Sequence, residues 1–184
     1  GRVPNGSAAF DLFPLAAPSL EMPNSGHLPG ELIISEVHYH AAAPPDGSTI
    51  TAEELEFVEI YNRSGHAVVL NDSLLGPWRI RGGIDFDFGA LPSGTALAAG
   101  GIVVIVPFDP ENAVLQGEFR SIHGIDSSVV LHGPYEKKLD NAGDVVRLLA
   151  PTAPPAGEAD SADYLVDRIT YEESAPWPTE PDGA

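Results

Sequence analysis

The chain contains no cysteine, and that absence removes several chemistries at once. A disulfide framework, a thiol nucleophile and a cysteine-ligated zinc site are all excluded. Basic residues are scarce as well: nine Lys and Arg stand against 27 Asp and Glu, for a formal net charge of −18. Such a surface repels phosphate, so nucleic acid has no electrostatic support as a partner. An anionic membrane surface is disfavoured for the same reason. Long hydrophobic runs are missing too. No stretch approaches the roughly 20 apolar residues of a membrane span, so membrane insertion is not expected. There is no Gly-x-Ser-x-Gly elbow and no glycine-rich phosphate loop; Gly82-Gly83 and Gly100-Gly101 read as turn glycines.

What is present points to a β protein. The 184 residues suffice for one ordinary domain with a sizeable core. The hydrophobic fraction, 43%, lets it fold without a metal or a staple. Nineteen glycines and 18 prolines interrupt the chain too often for long helices, so short strands joined by turns are expected. The acidity favours solubility and attracts cations such as Ca²⁺. Seven Arg against two Lys, in a chain rich in Ala, Gly and Pro, point to a GC-rich bacterial genome. The chain opens on Gly1 with no basic n-region, so it reads as a piece of a longer or processed polypeptide.

Three regions follow from the patterning. Residues 1–30 begin with a turn at 1–6 and a short strand at 8–13; prolines 14, 18, 23 and 29 then forbid regular structure. Residues 31–172 carry the domain, and residues 173–184 form a Pro-rich C-terminal segment. Strands are expected at 32–39, 54–61, 67–70, 78–81, 84–88, 128–131, 144–149 and 164–171. Ile84, Phe86 and Phe88 share one face by strict alternation, with Asp85 and Asp87 on the other. The apolar run 101–106 reads as a central strand buried on both faces. One short helix is expected, capped by Asp109 with Pro110 in its first turn, its apolar face made by Leu115, Phe119 and Ile122, and ended by His123-Gly124. Strands in this number with a single connecting helix make an all-β, antiparallel sandwich.

The ordered series of segments resembles the lamin-tail domain of bacterial extracellular multidomain proteins. It is carried by Leu32-Ile33-Ile34-Ser35-Glu36-Val37-His38-Tyr39, then Glu56-Phe57-Val58-Glu59-Ile60-Tyr61-Asn62 and Ala67-Val68-Val69-Leu70-Asn71. Trp78, a central hairpin from Leu91 to Val106, Leu139-Asp140-Asn141-Ala142-Gly143-Asp144 and Val166 through Pro176-Trp177-Pro178 complete it, so residues 31–180 are covered. The resemblance implies an immunoglobulin-like β-sandwich, a role in protein contacts and no catalytic residues. Residues 1–24 look like the closing segment of such a unit, displaced to the N-terminus. Two readings stay open: a leftover of a preceding repeat, or a permuted unit. In the permuted case residues 1–13 complete a neighbouring copy by strand addition.

The expected function is therefore a non-enzymatic adhesion or assembly module of an extracellular or cell-surface protein, with other copies of itself among its protein partners. Phe10, Leu12, Phe13 and Trp177 are the assembly candidates. The alternative is a Ca²⁺- or carbohydrate-binding accessory module of a secreted multidomain enzyme, with Trp78, Trp177, Tyr135 and Tyr171 as a stacking surface if exposed. No cofactor is expected beyond Ca²⁺, for which Asp85 and Asp87 share a face and the 140–144 turn offers further acids. Glu36, His38 and His40 alternate along one strand, a spacing that suits zinc or a similar ion, though no fourth ligand is apparent. Glu56 and Glu59 lie on opposite strand faces, so they make no acid–base pair; one of them is expected to point inward onto backbone or Arg. The glycosylation patterns at Asn5, Asn62 and Asn71 read as accidental matches.

Overall fold

The computed structural model describes residues 2–4, 10–12, 30–152 and 163–173. Its strands are β1 (Arg2–Pro4), β2 (Phe10–Leu12), β3 (Leu32–His38), β4 (Phe57–Asn62), β5 (Val68–Val69), β6 (Asn71–Asp72), β7 (Gly76–Pro77), β8 (Arg79–Gly82) and β9 (Ile84–Asp87). After them come β10 (Ala96–Leu97), β11 (Ile102–Ile105), helix α1 (Ala113–His123), β12 (Val130–His132), β13 (Glu136–Lys137), β14 (Gly143–Pro151) and β15 (Asp163–Glu172). Two sheets dominate, one ordered β12-β11-β4-β3 and the other β13-β9-β8-β14-β15. The expected all-β sandwich with one connecting helix is what they form.

The sandwich core lies between these sheets. Alternate residues of each strand point into it: Leu32 and Ile34, Val58 and Ile60, Val103 and Ile105 from one sheet, Ile80, Ile84, Phe86, Val146 and Leu148 from the other. The opposite face of β11 is also apolar. Val104 and Val106 join Phe57, Phe108 and Phe119 in a second cluster under α1. The run at 101–106 is thus buried on both faces, by a sheet on one side and a helix on the other.

One pairing departs from the antiparallel expectation. β12 runs parallel to β11, with Val103 opposite Val130 and Ile105 opposite His132. Parallel neighbours need a crossover, and α1 supplies it while covering the face it crosses. The helix also begins later than expected. Asp109 caps only a turn, accepting from the Glu111 N–H at 2.9 Å. Asn112 is the true N-cap, accepting from Val114 and Leu115. Leu115 and Phe119 face inward as expected, but Ile122 is exposed and His123 takes its place.

Smaller corrections are local. Residues 53–55 form a 3-10 turn, so the second strand starts at Phe57. The arms of the expected central hairpin separate: β10 pairs with β5 and β11 with β4. Arg2–Pro4 is a strand paired with β2, not a turn. The Cα trace of β2 also comes within 8 Å of β15, the edge strand of the five-stranded sheet. At Gly82, φ is +122° and a Cβ would stand 1.9 Å from the Val145 carbonyl oxygen. Only glycine lets β8 meet β14 there. The Pro-rich segment beyond residue 173 and residues 153–162 lie outside the described residues.

Candidate functional site

One end of the sandwich gathers the polar groups that burial perturbs most. The 3-10 turn at 53–55 delivers Glu56 into the interior just before β4, and only 4% of it stays exposed. This is the inward glutamate, and a backbone group does meet it, the His40 N–H. Its other oxygen, Oε2, has no hydrogen-bond partner, nor does the buried hydroxyl of Tyr135, whereas the backbone of Asp140 meets that of Tyr171. The three groups lie within electrostatic reach of one another. Burial, reinforced by Glu53, pushes the Glu56 carboxyl up to about 7, against the pull of the His40 N–H and Lys138. Burial likewise raises both tyrosines. Tyr171 stacks on Tyr39 with ring centroids 4.2 Å apart.

Two open clefts flank the 140–144 turn beside this end. One, about 420 Å³, is lined by Lys137, Lys138, Asp140, Asn141 and Asp144; the other, about 370 Å³, shares Asp144 and adds Tyr171 and Glu172. Glu56 lines neither. The turn acids are spent locally: Asp140 accepts from the Ala142 N–H and Asp144 from the Val145 N–H, at 2.9 and 2.7 Å.

The metal candidates do not come together. Glu36 and His38 share a face of β3, but the strand ends at His38 and Tyr39 turns into the core. His40 sits beyond it at φ +52°, off that face. His38 instead stacks on Phe57 at 5.1 Å and meets the edge of His123 at 5.1 Å. Burial, then the His123 charge, lowers its pKa; burial lowers that of His123, whose Nε2 lies 3.0 Å from the Leu55 carbonyl. Asp85 and Asp87 face outward from β9 as expected, yet each is already paired. Lys137 Nζ lies 2.9 Å from Asp85; Arg79 Nε and Arg81 Nη2 lie 3.0 and 3.4 Å from Asp87. Partial burial opposes charge on both, but Lys137 at Asp85, and the Gly89 N–H with the two arginines at Asp87, hold them below the usual carboxylate range. No group of three His, Asp or Glu gathers into a metal site among the described residues.

The proposed stacking surface is core. Trp78, Tyr135 and Tyr171 are all buried between the sheets. Phe10 and Leu12 lie in β2, and of their placement only the strand is described; Phe13 and Trp177 fall outside the described residues. Asn62 is buried and its amide nitrogen donates to the carbonyls of His66, Leu97 and Ala98, so the folded chain does not expose that side chain. One surface escaped the sequence reading. Leu74, 87% exposed, projects with Leu75 from the β6–β7 turn, where the Asp72 carboxylate holds both N–H groups. Beside it runs a groove of about 280 Å³ whose lining includes Val68, Val69, Trp78 and Tyr164. Two leucines inside a cluster of turn formers were the available signal.

No helix among the described residues is long and apolar enough to cross a membrane. The sequence matches no protein-family model and no curated protein. Among solved structures the chain is similar to a DUF4876 family protein from Bacteroides thetaiotaomicron, at 12% identity and a TM-score of 0.50. The likeness covers 83% of this chain and 56% of that one, so the chain spans little more than half its length. At this identity the likeness concerns the fold alone.

Proposed function

We propose that the chain is a non-enzymatic adhesion or assembly module, of lamin-tail type, within a bacterial extracellular or cell-surface protein. The observation that carries this reading is the Leu74–Leu75 tip, an apolar projection on a strongly acidic surface. The tip continues into the exposed Val69 and the groove lined by Val68, Trp78 and Tyr164, and contiguous exposed apolar surface marks contact sites for other proteins. The buried positions of Trp78, Tyr135 and Tyr171 weigh against the sugar-binding alternative, and the ion pairs of Asp85 and Asp87 weigh against calcium there.

Self-assembly is the sharper form. The β1–β2 hairpin lies by β15, and residues 13–31 join it to β3. Nineteen residues span at most roughly 65 Å, enough for the hairpin to serve its own β15 or that of a neighbour. Exchange of the hairpin gives head-to-tail chains. Light scattering tests it: mass is expected to rise with concentration for the full chain, and removal of residues 1–26, or Leu74→Ser with Leu75→Ser, is expected to reduce it. A full chain that stays monomeric throughout sinks the self-assembling form.

A further inference from the structure

A lightly held stretch of chain carries two of the groups that act on Glu56. Strand β13 pairs with β9 through only two residues, Glu136 opposite Asp85 and Lys137 opposite Ile84. Before it, the Tyr135 N–H donates to the Val106 carbonyl at 3.1 Å, so the freedom lies at the far end. There Lys137 takes a φ of +67°, a conformation uncommon outside glycine. Its Nζ lies 2.9 Å from Asp85 and 3.3 Å from the Gly82 carbonyl. On one side of β13, Tyr135 is buried with an unpartnered hydroxyl. On the other, Lys138 sits at the surface with Nζ 2.9 Å from Glu53 Oε1. Both lie within electrostatic reach of the Glu56 carboxyl.

Glu56 fits its surroundings only while it is protonated. It is 4% exposed, it accepts the His40 N–H, and its Oε2 has no partner. Once ionised it is an acceptor only, and a buried charge left unpaired is strongly destabilising. The groups that face it are few. The 3-10 turn brings Glu53, of like sign, and the chain beyond β3 brings His40. The 135–138 segment brings Tyr135 and Lys138, and β15 brings Tyr171, whose hydroxyl the Asp140 backbone already meets. Among these, only lysine keeps a positive charge well above neutral pH. Its present ion pair holds it weakly. Lys138 and Glu53 are 68% and 69% exposed, and exposed pairs contribute little. Breaking that pair leaves Glu53 in water, whereas leaving Glu56 unpaired strands a charge in the core. The flexible four-carbon stem of lysine lets its amine change partners.

We propose that Glu56 and Lys138 form a proton-controlled switch at the 135–138 segment. With Glu56 protonated, Lys138 stays on Glu53, as in the structure. With Glu56 ionised, the Lys138 amine leaves Glu53 and turns inward, and the Tyr135 hydroxyl donates to the carboxylate. The switch has an outlet at the surface. Lys138 lines the cleft of about 420 Å³ together with Asp140, Asn141 and Asp144, so its withdrawal leaves that cleft more acidic. Lys137 does not replace it, being held on Asp85. Burial pushes the Glu56 carboxyl up to about 7, which sets the change near neutral pH. The switch lies within one chain and does not depend on the assembly reading.

Nuclear magnetic resonance of the full chain, titrated across neutral pH, tests this. The side-chain carboxyl carbon of Glu56 reports its ionisation, and the amides of residues 135–141 report the segment. One transition with a shared midpoint is expected in both, and the Lys138 amine is expected to lose its contact with Glu53 through it. Glu56→Gln is expected to abolish the amide transition. Lys138→Met is expected to abolish most of it while raising the Glu56 midpoint. Lys138 is exposed, so its variant keeps the test open where Glu56→Gln fails to fold. Amides 135–141 that titrate unchanged in Lys138→Met overturn the switch. So does a Glu56 carboxyl that titrates with Lys138 still on Glu53, or one that does not titrate across neutral pH.

Discussion

The four-stranded sheet is covered on both faces, and its two coverings differ in kind. Toward the other sheet the core is broad, and its members run the length of both sheets, from Leu32 and Val58 to Leu148 and Tyr171. Toward α1 it is small, centred on Phe57, Phe108 and Phe119, and imidazole rings of His38 and His123 close its rim. Strand β11 feeds both, Val103 and Ile105 to the first, Val104 and Val106 to the second. The lesson is that the sandwich core holds the molecule together, whereas the helix-side core is a smaller appendage to it, rimmed by imidazoles. Helices docked over a small core open at lower free energy than central strands.

The comparison breaks most sharply at matched phenylalanines. Phe88 and Phe119 are both fully buried, one in each cluster. Phe88→Ala is expected to cost about 3–5 kcal/mol and to lower a single unfolding transition of the whole domain. Phe119→Ala is expected to cost about 3 kcal/mol and to act locally. Hydrogen exchange then shows amides 113–123 losing protection while β14 keeps its own. Equal loss of protection in both elements would show a single cooperative core instead.

A smaller effect separates the two cores by pH. The folded Glu56 carboxyl titrates at about 7, above the usual carboxylate range, so the folded chain holds a proton that the unfolded chain releases. Its stabilising contribution is complete below the unfolded value, near 4.5, and is lost as pH rises through about 7. Glu56→Gln is expected to flatten this dependence and to gain about 2 kcal/mol over the natural residue at alkaline pH. Thermal melts at acid and alkaline pH measure it; an unchanged pH profile would refute the burial argument.

The smallest effect runs the other way. His38 and His123 have folded pKa values below the ordinary 6.5, so the unfolded chain takes up protons first. Stability is whole above 6.5 and falls as pH drops below it through the folded values. Because both rings border α1, exchange of the helix amides is expected to quicken at mildly acid pH before that of β8 or β14. His38→Phe with His123→Phe is expected to remove the difference.

Much of this was legible in residue patterns and some was not. The alternation of Ile84, Phe86 and Phe88 named its buried face correctly, and so did the double-sided burial of the run at 101–106. The parallel β11–β12 pair was hidden, because a short apolar strand looks the same whichever way its neighbour runs. The helix start was misplaced because Asp109 and Asn112 are both good caps, and only the turn at Pro110 made the second one the real N-cap. At the candidate site, the alternation of Glu36, His38 and His40 suggested a ligand face, but Tyr39 turns into the core and takes the chain off the strand. That Arg147 stands opposite Arg81 and Arg168, and Glu36 opposite Glu59, carried no signal at all, since cross-strand register is a property of paired strands, not of any one segment.

By itself, then, the sequence determined the class of the molecule. Turn residues at short intervals exclude long helices, alternation assigns strand faces, and the absence of cysteine from the sequence removes thiol chemistry. These are local or compositional properties, and each residue carries them wherever it sits. Tertiary structure alone decided which charges meet. It set Lys137 against Asp85, left Arg147 between two other arginines, placed Glu36 opposite Glu59 and buried Glu56 without a partner for one oxygen. Coulomb interactions depend on distance and surroundings in the folded chain, and no spacing along the sequence records either.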